Sequence, residues 1–264
     1  MTDTLVKIGF DPETGVATLT FNRPEALNAI NVPMAEAFLA VVKSLRDRHG
    51  LRCVVLTGAG RAFMAGGDVE SMAGSPDQAR EVVNALLDAL NPAILILREL
   101  NAPVIAGVRG FAAGAGLSLA MGADLILADA NARFMVAYDG IGTVPDCGGT
   151  WFLNRRIGAG RASQLMLLGQ TLSAQEALDW GLINQVASEG EFDNALIELA
   201  RQVANGPSRA YAAFRRLSDD AFGGTLSGHL EAERQAFLEA VGTQDFQEGV
   251  AAFLAKRPAQ FRGH

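Results

Sequence analysis

Residues 103–128 read PVIAGVRGFAAGAGLSLAMGADLILA, and the order of features in that stretch decides the fold. PVIAGV is an apolar, β-branched run of strand length. A glycine-rich turn follows, then a short apolar helix expected over about Gly116 to Met121, then a second buried strand, DLILAD. A strand that crosses through a helix to another buried strand implies a right-handed unit with parallel pairing. The stretch is apolar enough to suggest a membrane span, but Arg109, Asp124 and its glycines identify it as buried core, so no membrane association is expected.

The same grammar runs upstream. LVKIGF and VATLTF alternate on either side of DPETG, whose residues suit a hairpin turn. Asn31 can cap a helix with Pro33 in its first turn, and Met34, Phe38, Val41, Val42 and Leu45 recur at helical spacing until Gly50. CVVLTG is a buried strand that opens into the small-residue loop GAGRAFMAGGD. A helical segment from Ser75 to Leu100 follows, with Ser75 as cap and Pro76 at its first position, and Pro92 is expected to break or kink it. From Glu191 onward the pattern becomes purely helical, so the chain divides into an α/β body over 1–190 and a helical region over 191–264. The apolar positions Phe237, Leu238, Val241, Phe246, Val250, Phe253 and Leu254 need cover from the body or from another subunit, and self-association is the expected use.

Composition bounds the function. A chain of 264 residues, 49% hydrophobic and 19% charged, suffices for one large globular domain with an appendage. Lys and Arg number 22 against 29 Asp and Glu, a net charge of 22 − 29 = −7, which excludes the generally basic face of a nucleic-acid binder but allows a local basic patch. His49, His229, His264, Cys53 and Cys147 stand at no metal-ligand spacing, so no metal is expected. Two isolated cysteines and an opening, MTDTLVKIGF, without the charged and apolar regions of a signal peptide point to the cytoplasm.

Two loops, Gly58 to Asp68 and Gly107 to Gly116, each follow a buried strand and precede a helix. Helix starts carry unpaired N–H groups, and two aimed at one point would hold a thioester or ester oxygen as it gains charge. The small residues Ala65, Gly66, Gly67, Gly114, Ala115 and Gly116 permit that approach, and would equally serve tight strand-to-helix packing. A dinucleotide fingerprint fails on spacing, because Leu119 stands where the third glycine belongs. GLSLA around Ser118 approaches a nucleophile elbow, but no strand runs directly into the serine and His229 lies in the helical tail. In IGTVPDCGGTW, residues 141–151, Asp146 fits either a helix N-cap or a general base whose apolar neighbours raise its proton affinity.

Taken in order, FNRPEALNAI at 21–30, GAGRAFMAGGDVESM at 58–72, residues 103–128, IGTVPDCGGTWFLNRRIG at 141–158 and the terminal DFQEGVAAFLAKRPAQFRG resemble the crotonase superfamily of enoyl-CoA hydratases and isomerases along nearly the whole chain. The resemblance implies an α/β fold, a crotonase-like spiral of ββα units with a C-terminal helical trimerisation region, assembled as a homotrimer or a dimer of trimers. It implies an acyl-CoA substrate, no separate cofactor, and an oxyanion hole made by the N–H groups of Gly67 and Ala115. It further places Ala26, Ala62, Ala65, Val69, Phe111, Ala113, Tyr138 and Pro145 around the substrate, makes Asp68 a loop-ordering or capping acid, and suggests Arg23, Lys256 and Arg257 for the coenzyme A phosphates.

The departures from the family pattern carry equal weight. Ser118 and Tyr138 stand where the family's hydratases have their two glutamates, and Asp139 is offset from the second by one residue. What remains is Asp146, in a context closest to the family's isomerases, including those acting on ring-epoxidised phenylacetyl-CoA. The leading expectation is therefore an acyl-CoA isomerase with Asp146 as proton carrier. A hydratase of altered mechanism using Asp146, Asp139 or Tyr138, and a silent acyl-CoA binder, are the alternatives. The replacement of a commoner asparagine by Arg109 has no explanation at the level of sequence.

Overall fold

The computed structural model describes residues 4–264. A hairpin opens the chain: β1 (Val6–Asp11) pairs antiparallel with β2 (Val16–Phe21), Val6 opposite Phe21 and Asp11 opposite Val16. The Asp11 carboxylate accepts from Glu13 N at 3.0 Å and from Thr14 Oγ1 at 2.7 Å, which closes the DPETG turn. From β2 the sheet continues in parallel through β3 (Cys53–Gly58) and β4 (Val104–Val108). Between them lie α1 (Val32–Leu45) and α2 (Pro76–Glu99), and after β4 come β5 (Phe111–Ala113) and α3 (Ala115–Met121). The chain returns to the sheet at β6 (Leu125–Ala128), passes through β7 (Arg133–Met135), α4 (Gly149–Leu168), β8 (Thr171–Ser173) and α5 (Ala174–Asp179), and completes the edge with β9 (Gln185–Val186). The main sheet therefore has the order β1-β2-β3-β4-β6-β9, and β5, β7 and β8 form a second, smaller sheet. This is the spiral of ββα units, and the parallel pairing expected from the sequence extends from β2 to β9.

Both faces of the main sheet are covered, which is why its central strands are apolar throughout rather than alternating. On β3, Val54 and Leu56 face the core beneath α1 and α2, while Cys53 and Val55 face the opposite layer with Ile105 and Leu127. That opposite layer is α6 (Phe192–Ala204), which buries Phe192, Leu196, Ala200 and Ala204. A boundary drawn at residue 190 thus cuts off a helix that belongs to the body.

Helix caps follow the sequence closely. Asn31 accepts from Met34 N at 3.1 Å, and Ser75 forms a reciprocal capping box with Gln78. The expected break at Pro92 is corrected: α2 runs through it without interruption. Proline removes only the bond to the carbonyl of Asp88, an exposed residue where water can substitute. Four large side chains of the same helix, Leu86, Leu90, Ile96 and Leu97, are buried, each worth roughly 1.5–3 kcal/mol, which outweighs the ~3 kcal/mol helix penalty of proline.

Helix α7 (Ser208–Asp220) is tied to the body by Arg215, whose side chain is 3% exposed. Its guanidinium donates to the Leu100 carbonyl, to the Ala102 carbonyl and, at 2.8 Å, to Asp124. Asp124 also accepts from Arg98 and from Val104 N, so one carboxylate joins α2, β4 and α7. By contrast α8 (Leu226–Val241) buries no residue, and α9 (Gln244–Leu254) buries only Asp245 and Ala252. Arg215→Met should lower unfolding stability by roughly 3 kcal/mol, because it leaves the partners of a buried charge without their donor. Urea unfolding of the variant checks this, and an unchanged midpoint would show that α7 docks by other means.

Candidate functional site

The two glycine-rich loops leave the carboxyl ends of the neighbouring strands β3 and β4 and meet backbone to backbone. Met64 N donates to Phe111 O, and Ala113 N donates back to Met64 O, both at 3.0 Å. Gly114 sits at φ 51 and ψ −124, which a β-carbon disfavours strongly, so the turn into α3 needs glycine there. At Gly116 space is the constraint, since a β-carbon would fall 2.3 Å from the Met64 carbonyl oxygen.

The N–H groups of Gly67 and Ala115 are left without protein acceptors among the described residues, for different reasons. Residues 65–68 run alongside 27–30 as a strand: Ala65 N donates to Leu27 O, Ile30 N to Gly66 O, and Asp68 N to Ile30 O. Alternation along an extended segment then turns the Gly67 N–H the other way. Ala115 is the first residue of α3, where an N–H has no intrahelical partner. The expectation of two converging helix starts is therefore corrected. Only the second donor is a helix start, because a short 3-10 turn at Val69–Met72 separates Gly67 from α2. The Met72 methyl lies over Gly67, 3.0 Å from where a β-carbon would stand.

The loop carrying Gly67 is braced from the NRPEALN segment. Asn28 is fully buried, with φ 58, a conformation that asparagine tolerates. Its amide donates to Ala59 O at 2.9 Å and Ala62 O at 2.8 Å, and its carbonyl accepts from Arg23 N at 2.8 Å. Arg23 donates in turn to Ala29 O at 2.6 Å and to Asp68 at 3.1 Å. Asp68 makes no side-chain cap; its carboxylate accepts from Arg23 instead. Sequence reasoning passed over Asn28 and Met72; an asparagine within a turn-forming run was the available signal for the first.

Asp146 does not cap α4 with its side chain. The N-cap is Gly148, with no side-chain bond, and Asp146 contributes only its main-chain carbonyl, which accepts from Gly149 N at 2.7 Å. Its carboxylate, half-buried rather than enclosed, accepts the Tyr138 hydroxyl at 2.5 Å. Tyr138 Oη is 3.3 Å from Ser118 Oγ, and Ser118 lies on α3 one turn beyond Ala115. The three side chains thus link the possible base to the helix that offers the second N–H. Burial, and then the neighbouring Asp146 charge, push the Tyr138 hydroxyl well above the usual phenol range. The same two causes push up the Cys147 thiol beside it. Ala137 and Cys147, which flank the hydrogen-bonded pair, have φ of 63 and 52, a backbone cost of order 1–3 kcal/mol each. Asp139 turns away: a β-carbon on Gly169, past the far end of α4, would stand 2.6 Å from its Oδ2.

The remaining expected residues distribute around these loops. Ala62 and Ala113 are buried, Ala26, Ala65 and Pro145 are partly exposed, and Val69 and Phe111 are exposed. Lys256 is exposed and distant in sequence from the loops, and Arg257 is engaged by Glu248 through two bonds of 2.6 and 2.8 Å, which pulls the Glu248 carboxyl down to about 2. Arg109 acquires a physical role, pairing with Asp193 at 2.8 Å and stacking 4.7 Å above the Phe192 ring, so that it ties the end of β4 to the start of α6. Among the described residues no three His, Cys, Asp or Glu side chains gather as metal ligands.

Residues 11–264 match the family described as Enoyl-CoA hydratase/isomerase. The chain is 40% identical over 252 residues to the 1,2-epoxyphenylacetyl-CoA isomerase of Escherichia coli (strain K12), covering 95% of this chain and 96% of that one. It is 34% identical over 249 residues to the short-chain-enoyl-CoA hydratase of Clostridium acetobutylicum, covering 94% of each. Among solved structures, an enoyl-CoA hydratase from Polaromonas sp. JS666 is similar with a TM-score of 0.90 at 35% identity, over 97% of this chain and 99% of that one.

Asn28→Ala should destabilise the fold by about 2–4 kcal/mol, since it strands the buried Ala62 carbonyl together with the part-buried Ala59 carbonyl and Arg23 N–H, and a buried unpaired group costs about 1–3 kcal/mol. Thermal unfolding checks it. A melting temperature equal to that of the wild type would show that the loop carrying Gly67 is held without this brace.

Proposed function

Because the chain belongs to the enoyl-CoA hydratase/isomerase family, whose substrates are acyl-CoA thioesters, we propose that it is an acyl-CoA isomerase in which Asp146 moves a proton while the N–H groups of Gly67 and Ala115 hold the thioester oxygen. The observation that carries this reading is the Tyr138–Asp146 hydrogen bond, which leaves the carboxylate free of a capping role and ties it to the helix offering one oxyanion donor. The likeness to an isomerase at 40% identity supports it further.

The chemistry balances without another reagent. The carboxylate takes a proton from a carbon acidified by the thioester, and the electron pair passes into the thioester carbonyl. The two N–H groups stabilise the resulting enolate oxygen. Collapse of the enolate with return of the proton at a different carbon completes the isomerisation. No electrons are gained or lost, so no cofactor is required in this scheme. Water addition by a pair of carboxylates is disfavoured because Ser118 and Tyr138 are hydroxyls; hydration by another arrangement is the second reading, supported by the likeness to a short-chain hydratase.

Around the substrate we assign Ala26, Ala62, Ala65, Val69, Phe111, Ala113 and Pro145 to the walls. Arg23 shapes the loop through Nη1, which donates to Asp68 and Ala29, while its Nη2 has no acceptor among the described residues, so Arg23 and exposed Lys256 are both candidates for a phosphate contact. Assembly as a homotrimer or a dimer of trimers would cover α8 and α9, which leave Phe237 66%, Phe253 82% and Leu254 75% exposed. No described helix is long and apolar enough to cross a membrane, and a cytoplasmic location is proposed on the free cysteines Cys53 and Cys147.

Incubation with short, medium and aromatic enoyl-CoA thioesters in deuterium oxide, followed by mass spectrometry and NMR, tests the reaction. Deuterium incorporation or double-bond movement should fall about 10²- to 10⁴-fold in Asp146→Asn, as for a lost general base. Water addition that survives the substitution would favour the hydratase reading, and tight binding without either reaction would favour a silent binder. Separately, Phe237→Glu should shift the sedimenting species toward a monomer; an unaltered assembly would remove α8 from the interface.

A further inference from the structure

The two oxygens of Asp146 are treated differently. Oδ1 accepts the Tyr138 hydroxyl at 2.5 Å, and the only other side chain of a described residue that approaches the carboxylate as a donor is the weakly donating Cys147 thiol. Tyr138 is 7% exposed and its hydroxyl is pushed upward by burial and by the carboxylate, so the phenol stays protonated and commits its single proton to Oδ1. Ser118, 1% exposed, stands 3.3 Å from the phenol oxygen. With the phenol proton already engaged, the serine must be the donor in that pair. The result is a one-way chain from Ser118 through Tyr138 to Asp146 Oδ1.

The backbone is constrained to bring these groups together. Ala137 and Cys147, immediately beside the tyrosine and the aspartate, both adopt left-handed conformations that residues with a β-carbon rarely take. Ser118 sits on a helix whose Gly116 is pressed against Met64, so the far end of the chain cannot drift. Cys147 is the other titratable group beside the carboxylate, buried and held in its neutral form.

We propose that Tyr138 is a positioning residue, braced by Ser118, that holds Asp146 Oδ1 and thereby presents Oδ2 as the atom that carries the proton. This inference rests on the reading of Asp146 as the proton carrier. A carboxylate free to rotate about its terminal torsion would spend much of its time with neither oxygen aimed at the substrate. One strong hydrogen bond from a protonated, buried phenol removes that freedom.

The test compares Tyr138→Phe, Ser118→Ala, Asp146→Asn and the double variant Tyr138→Phe/Asp146→Asn in the deuterium-exchange assay. Tyr138→Phe should lower kcat about 10- to 100-fold, the equivalent of one hydrogen bond to a charged group, with KM little changed. Ser118→Ala should lower kcat by less, and the double variant should be no slower than Asp146→Asn alone. Wild-type kcat in Tyr138→Phe, or a double variant slower than Asp146→Asn, overturns the proposal. Full activity in Asp146→Asn overturns the underlying reading instead, and is recognised from that variant by itself. A change confined to KM in Tyr138→Phe would mark substrate binding rather than aim of the carboxylate, and refutes the positioning role.

Discussion

Everything at the site depends on two loops leaving adjacent parallel strands and touching through their main chains. Met64 exchanges hydrogen bonds with Phe111 and Ala113, and the space between Met64 and Gly116 has no room for a β-carbon. Parallel strands lie about 4.8 Å apart, so loops from β3 and β4 start as neighbours, but side chains of ordinary size would hold them apart. The run of alanines and glycines removes that obstacle. Each loop then carries one N–H group with no acceptor among the described residues, one turned out by strand alternation and one orphaned by a helix start.

A second link across the site is made by side chains rather than main chain. Ser118 continues α3, Tyr138 closes the turn after β7, and Asp146 precedes α4, so the hydrogen-bonded chain draws on three separate segments. Its members are two hydroxyls and one carboxylate, which concentrates the negative charge on a single group. That composition suits moving one proton within a substrate, where a second carboxylate nearby would raise the cost of ionising the first. The left-handed residues flanking the pair show that the local backbone accepts unfavourable conformations to keep it together.

The helical tail obeys different rules from the body. Arg215 and the shared carboxylate Asp124 anchor α7, whereas α8 and α9 present phenylalanines and leucines to solvent in the single chain. A helix that buries nothing within its own subunit gains little from hydrophobic burial until another surface covers it.

The fold was legible in residues 103–128 and their upstream counterparts because strand length, helix spacing and glycine punctuation are local properties. Caps at Asn31 and Ser75 were legible for the same reason. Pro92 was misleading because the burial of Leu86, Leu90, Ile96 and Leu97 outweighs a local penalty, and that burial exists only once α2 packs. The site divides along the same line. Sequence marked Gly67, Ala115 and Asp146 as candidates, but left each with a bland alternative of packing or capping. Only the tertiary structure excluded the side-chain cap at Asp146, showed Arg23 bracing Asp68, explained Arg109, and joined Ser118 to Tyr138 and Asp146. Those outcomes depend on which groups from distant segments arrive within hydrogen-bonding distance, and a bond of about 3 Å is set by packing, which no local pattern of residues encodes.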